Sequence, residues 1–79
     1  MENRLLKYFL VVAQEENITR AAEILHVSQP ALSKQMMQLE NELGATLFIR
    51  GKRSLTLTEE GRFLRGRARE IVALTEKTE

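Results

Sequence analysis

Hydrophobic residues recur at helical spacing at the start of the chain. The positions that share one side of a helix over residues 3–15 are Leu6, Phe9, Leu10 and Ala13. Leu5 and Val12 lie off that stripe. A helix with apolar residues on a second side usually contacts a second neighbour, so the pattern predicts a first helix that packs against two elements.

A short second helix is predicted next, over residues 20–25. Thr19 stands where we expect its N-cap, because a threonine hydroxyl can accept a hydrogen bond from a free amide of the first turn. The adjacent Ala21 and Ala22 are small enough to let another helix approach closely. His26 falls in the connection that follows, where we expect a turn or surface residue.

The third predicted helix begins after Ser28, whose hydroxyl is expected to cap it, and Pro30 fits its first turn because the amide hydrogen that proline lacks has no partner there. Its buried stripe is predicted to contain Leu32, Met36, Leu39 and Leu43. Gly44 follows as a left-handed terminator. Together, residues 18–37 have the pattern of a helix-turn-helix, and the alternative is a helical bundle in which the alanines only ease packing.

The polar end of the third helix is the strongest candidate for chemistry. An α-helix can enter the major groove of DNA, about 12 Å wide, if its first turns carry no bulky apolar side chain. Gln29, Ser33 and Lys34 meet that condition. A glutamine amide can pair with an adenine edge, and a lysine can reach guanine or a phosphate. Thr19 and Ser33 could donate to phosphates, or serve only as solvated or capping residues.

A β-hairpin is predicted over residues 47–57. Leu55 and Leu57 alternate with polar neighbours, and Gly51 supplies the turn between two short strands. The basic residues at its tip are Arg50, Lys52 and Arg53. Such side chains on a projecting turn can follow a DNA backbone or minor groove, although a charged turn can also be only solvated.

The last predicted helix begins after Thr58 and runs through residues 59–79. Its apolar side contains Leu64, Ala68, Ile71 and Leu74. This side must cover the first helix of its own chain or meet a second copy. Another side carries Arg62, Arg65 and Arg69, which we expect to be a solvated face.

Composition limits the function further. The chain has 79 residues, enough for one small domain, and it contains no cysteine. The net charge is +1, but residues 1–45 carry −2 and residues 46–79 carry +3, so positive charge is concentrated in the second half. A single histidine without cysteine or aspartate predicts neither a metal site nor a catalytic triad, so we expect no enzyme and no cofactor. No stretch has the length of a membrane span, and a cytoplasmic location is expected.

These residues together resemble the N-terminal DNA-binding domain of the LysR-type transcriptional regulators of bacteria. The matching segments are Leu6 with Phe9, the run from Thr19 to Ala22, the run from Val27 to Ser33, Leu39 with Glu40, Leu43 with Gly44, Leu47 with Phe48 and Arg50, Arg53, and Leu57 with Thr58 and Gly61.

The resemblance implies a mainly α-helical fold. Its parts are a winged helix-turn-helix over residues 1–58, with three helices and a two-stranded wing at 47–57, and a dimerisation linker helix over 59–79. An effector-binding domain that takes a small molecule would lie outside this chain. We expect the chain to bind double-stranded DNA as a homodimer, with tetramers among full-length relatives and the protein located on the bacterial nucleoid.

The residues expected at the DNA are Thr19, Ser28, Gln29, Pro30, Ser33, Lys34, Arg50, Lys52 and Arg53. The residues expected at the dimer interface are Leu5, Val12, Leu64, Ala68, Ile71 and Leu74. The family usually has arginine where this chain has Lys34, so the bidentate guanidinium fork is absent at that position. The rival interpretation is a winged-helix module that binds protein through the same polar face.

Overall fold

Four helices and a hairpin follow one another in the predicted order. The computed structural model describes residues 3–52 and 54–78. The elements are α1 (Asn3–Glu15), α2 (Ile18–Leu25), α3 (Gln29–Leu43), β1 (Phe48–Arg50), β2 (Leu55–Leu57) and α4 (Glu59–Thr78). The strands are antiparallel, with Phe48 opposite Leu57 and Arg50 opposite Leu55. The mainly helical winged architecture is therefore confirmed.

Specific capping residues mark where helices α2 and α3 begin and end. Asn17, and not Thr19, caps α2: the Asn17 side-chain oxygen accepts from the amide of Arg20 at 2.9 Å. The prediction for Thr19 was wrong because Asn17, two positions earlier, is a stronger N-cap than threonine, and the helix begins there instead. His26 ends α2 in the left-handed region at φ 59°, and Gly44 ends α3 at φ 65°, as predicted for Gly44.

One hydrophobic core joins all the elements. The large side chains with the least exposure are Phe9, Val12, Leu32, Met36, Leu39 and Leu47. The rings of Phe9 on α1 and Phe48 on β1 lie 5.5 Å apart, so the hairpin packs directly against the first helix. Leu43 is 38% exposed, which corrects its predicted place in the buried stripe: it lies at the last position of α3, beyond the core.

Helix α4 covers α1 of the same chain. Ala68 is fully buried, and Leu64 and Val72 pack partly buried against the core. Near the far end of the pair, Lys7 Nζ lies 3.7 Å from Glu76 Oε2, which shows that the helices run antiparallel. This arrangement is the first of the two alternatives that the apolar side of α4 left open.

The predicted dimer interface needs a correction at three positions. Leu5, Val12 and Ala68 have exposures of 4%, 0% and 0% within a single chain, so they present almost no surface to a second copy. The physical reason is that α4 itself is the second neighbour that the first helix requires. Ile71 and Leu74 remain exposed, at 46% and 65%.

The base of the hairpin is fastened to both α3 and α4. Glu40 Oε2 accepts from the amide of Leu47 at 2.8 Å and from that of Phe48 at 3.4 Å. The Thr58 hydroxyl caps α4 by accepting from the Gly61 amide at 3.0 Å, as predicted, and it donates to the Thr46 carbonyl at 2.6 Å. These bonds fix the orientation of the hairpin relative to α3.

Candidate nucleic-acid interface

The amino end of α3 projects from the body of the domain. Ser28 is in extended conformation and its hydroxyl accepts from the Ala31 amide at 3.2 Å, which confirms the predicted cap. Gln29, Pro30 and Lys34 are exposed. The amphipathic stripe of α3 causes this arrangement, because it turns the opposite face of the helix away from the core.

Two of the predicted contact residues on α3 are hydrogen-bonded to each other. Gln29 Nε2 donates to Ser33 Oγ at 3.3 Å, one turn along the helix. Ser33 is half-buried, whereas Gln29 is exposed. The side-chain oxygen of Gln29 takes no part in this bond, so the amide keeps an acceptor for another partner.

The tip of the hairpin and the start of α2 form a second part of the surface. A cleft of about 290 Å³ lies between them, lined on one side by Asn17, Ile18 and Thr19 and on the other by Arg50, Gly51, Lys52, Ser54 and Leu55. The structure thus brings Thr19 together with Arg50 and Lys52, three residues predicted independently. Arg53 lies outside the described residues.

Backbone hydrogen bonds position this cleft. The Leu55 amide donates to the Glu16 carbonyl at 3.1 Å, which ties β2 to the connection between α1 and α2. The Gly51 amide donates to the Ser54 carbonyl at 2.8 Å and closes the turn of the hairpin. Arg50 and Lys52 therefore lie on a hairpin that is anchored at its base and, through β2, to the connection between α1 and α2.

Sequence reasoning missed two polar residues of this cleft. Asn17 and Ser54 line it, and neither was predicted at the DNA surface. Asn17 carries a recognisable signal, since asparagine is among the preferred N-caps and a capped helix start presents free amides to an anion. Ser54 carries no such signal, because serine is common in turns and nothing in the sequence marks this one as a contact residue.

Two features are absent from the described part of the chain: a metal site of three or more ligating side chains and a membrane-spanning helix. Within residues 3–52 and 54–78, no three His, Cys, Asp or Glu side chains come together as a metal site. No helix in the same ranges is long and apolar enough to span a membrane.

Comparison with known proteins decides the family. The family model described as bacterial regulatory helix-turn-helix protein, lysR family, matches residues 3–62. The chain belongs to the LysR family. It is 52% identical over 73 residues to the HTH-type transcriptional regulator BsdA of Bacillus subtilis (strain 168), a match that covers 91% of this chain and 25% of that protein. It is 57% identical over 63 residues to the regulator CatR of Pseudomonas putida, covering 80% of this chain and 22% of CatR.

Solved structures of LysR-family domains have the same fold. The DNA-binding domain of CbnR in complex with DNA matches with a TM-score of 0.95 and 44% identity, covering 99% of this chain and 90% of that one. The BenM DNA-binding domain in complex with catB site 1 DNA matches with a TM-score of 0.94 and 40% identity, covering 99% and 87%. The chain spans about a quarter of the length of the regulators BsdA and CatR.

Proposed function

We propose that this LysR-family chain is a sequence-specific module for double-stranded DNA. The observation that carries the proposal is the exposed, polar amino end of α3 beside a cationic hairpin. The DNA complexes of the similar CbnR and BenM domains support it. An α3 face without large apolar residues in its first turns fits a major groove, and the hairpin can then reach the adjacent backbone or minor groove.

Each part of the surface has its own task in this proposal. Gln29 reads a base edge with its amide, while Lys34 contacts guanine or a phosphate as a point charge. Ser28, Pro30 and Ser33 set the approach of the helix, with Ser33 holding the Gln29 amide in place. The remaining contacts are to the backbone, from Thr19, Arg50, Lys52 and Arg53, and these supply affinity that is independent of sequence.

Replacing Gln29 with alanine tests the base-reading role. The change should cost about 1–3 kcal/mol at one base pair of a selected site and leave binding to random duplex unchanged, because only the specific complex uses the amide. Binding is measured by fluorescence anisotropy on a duplex selected from a random pool by the chain itself. Gln38→Ala is the matched control: Gln38 lies on the same helix, is exposed, and bonds Glu42 at 3.4 Å.

Equal losses on selected and random duplexes would refute the role of Gln29. Failure of the unaltered chain to bind either duplex at low salt would refute DNA binding altogether. The polar α3 face would then serve a protein partner, as in the rival interpretation.

We further propose that the chain acts as a homodimer through the outer face of α4. Phe63, Ile71 and Leu74 have exposures of 72%, 46% and 65%. Phe63 and Leu74 are eleven residues apart, which places them within about 20° of each other around the helix. Two α4 helices packed antiparallel would bury these side chains and would favour inverted-repeat sites with centres about 34 Å apart or a multiple of that distance.

Replacing Ile71 with glutamate tests this interface. The variant should sediment as a monomer at concentrations at which the parent chain is a dimer, because a carboxylate would be buried without a partner. Ile24→Glu is the matched control, since Ile24 on α2 has a similar exposure of 49%. A dimer that survives the Ile71 change but not the control would move the interface away from α4.

In the longer protein, we propose that this domain is joined to an effector-binding domain that takes a small molecule, and that dimers can assemble into tetramers on DNA. The full-length CbnR structure in complex with target DNA, of which this chain covers 27%, supports a domain of this kind acting on DNA within a longer chain. Such a regulator would act in the bacterial cytoplasm on the nucleoid.

A further inference from the structure

Three arginines form a ridge along α4 on the side away from its exposed apolar residues. We call Arg62, Arg65 and Arg69 the arginine ridge; their spacing of three and four residues places them on one side of the helix. They form one wall of a cleft of about 400 Å³. The remaining residues that line this cleft are Ala13, Gln14, Glu16, Thr56 and Leu57.

The charge of the ridge is not neutralised within the described residues. Arg67, on a different side of α4, has its Nη1 3.5 Å from Glu70 Oε2, and Glu76 pairs with Lys7. None of the three ridge arginines forms an ion pair with the residues in 3–52 and 54–78; Arg62 donates to the Leu57 carbonyl at 3.3 Å. Glu16 is the one carboxylate that lines the cleft, so a net positive charge remains there.

The ridge is continuous with the surface proposed to meet DNA. Two pairs of adjacent residues join the two clefts: Asn17 and Leu55 line the cleft at the hairpin tip, and Glu16 and Thr56 line the cleft at the ridge. The Leu55 amide donates to the Glu16 carbonyl at this junction. Positive side chains therefore extend from the hairpin tip, past this backbone contact, onto α4.

We propose that the arginine ridge binds backbone phosphates of duplex DNA that lies beyond the segment held by the hairpin. The first and last arginine are seven positions apart, which is about 10 Å along the helix axis. One DNA strand carries a phosphate about every 3.4 Å along its axis, so about three phosphates face such a length. The inference rests on the proposed DNA-binding function and extends it to flanking sequence without base readout.

The test compares two duplexes that share one selected core. In the triple variant, Arg62, Arg65 and Arg69 are each changed to glutamine. Hydroxyl-radical footprinting of this variant shows which base pairs it protects, and the short duplex contains only those base pairs. The long duplex adds about ten base pairs of arbitrary sequence on each side, one turn of DNA. For each chain bound, the parent should show a salt slope steeper by about 2–3 on the long duplex, which makes the loss of affinity between 50 and 200 mM salt about 40-fold larger per chain than on the short duplex.

The triple variant should lose that difference and bind the short duplex as the parent does. Arg67→Gln is the matched control, because Arg67 lies on the same helix but outside the ridge, and it should retain the full length effect once sedimentation shows an unchanged oligomeric state. Glutamine has nearly the same helix propensity as arginine, and a thermal melt of the triple variant checks that it is folded.

Several outcomes would overturn the inference. One such outcome is that the parent binds both duplexes with the same salt dependence and binds the short one tightly. Flanking DNA would then not be the ligand of the ridge, while the proposed function would stand. If the triple variant loses the same affinity on both duplexes, the ridge contacts the selected DNA core and not the flanking DNA. Binding of poly-glutamate that the triple variant abolishes, with no length effect on DNA, would assign the ridge to an acidic protein segment instead.

Discussion

Gly61 occupies the tightest contact between α4 and the hairpin, and replacing it with alanine should destabilise the domain. An alanine Cβ at this position would lie 2.3 Å from the Leu47 carbonyl oxygen and 2.9 Å from Leu57 Cδ2. Ordinary contact distances are about 3.5 Å, so the backbones must separate by roughly 1 Å. The same Leu47 carbonyl accepts from the Thr58 amide at 3.0 Å, and that bond would be strained.

The magnitude follows from three opposing contributions. Overpacking costs about 1–3 kcal/mol, and loss of the hydrogen bond about 1 kcal/mol. The higher helix propensity of alanine returns about 1 kcal/mol. The free energy of unfolding should therefore fall by about 2 kcal/mol, which lowers the melting temperature of a domain of this size by roughly 8–16 °C.

Gly66 provides the matched control on the same helix. A Cβ at Gly66 would meet nothing within 4 Å, so Gly66→Ala should only gain helix propensity and stabilise the chain by about 1 kcal/mol. The free energy of unfolding of both variants is measured by thermal and urea unfolding followed by circular dichroism. All samples have one protein concentration, because dimerisation would add stability that depends on concentration. A Gly61→Ala variant within about 0.5 kcal/mol of the parent would refute the close approach at Gly61. A Gly66→Ala variant less stable than the parent would refute the open space at Gly66.

Two further changes probe the ends of α3. Ser28→Ala should lower the free energy of unfolding by about 1 kcal/mol in urea titrations, because the Ala31 amide loses its acceptor, and an unchanged midpoint would contradict the cap. Glu40→Ala should cost about 1–3 kcal/mol by the same measurement, since two amides at the base of the hairpin lose a charged acceptor, whereas Glu40→Gln should recover part of the loss through its amide oxygen. Equal losses for the two Glu40 variants would show that packing, and not the hydrogen bonds, is responsible.

The local elements could be predicted because their signals lie close together in sequence. Ser28, Pro30 and Gly44 mark the ends of α3 by capping chemistry that needs no tertiary context, and the structure bears them out. Thr19 failed as a cap because a stronger neighbour competed for the same role. The polar face of α3 was predictable for the same reason as its core stripe: a helix with one buried side must expose the other.

The long-range contacts could not be predicted in the same way. Glu40 is an ordinary polar residue in the sequence, and only the fold brings its carboxylate to the amides of residues 47 and 48. Likewise, the sequence left α4 free to cover its own α1 or a second copy. The burial of Ala68 shows that the inner side of α4 covers its own chain, while Ile71 and Leu74 stay exposed on its outer side. Leu5 and Val12 are buried within the chain and offer almost no surface to a second copy.

The packing of α4 on α1 has a mechanical consequence. Helix α4 has 20 residues and is therefore about 30 Å long, yet it shares a core with the element that supports the hairpin and α3. A tilt of α4 at its far end is transmitted to the core, since Ala68 and Val72 pack against it. Any force applied to that end therefore acts as a torque on the whole domain and reorients α3 as a rigid body.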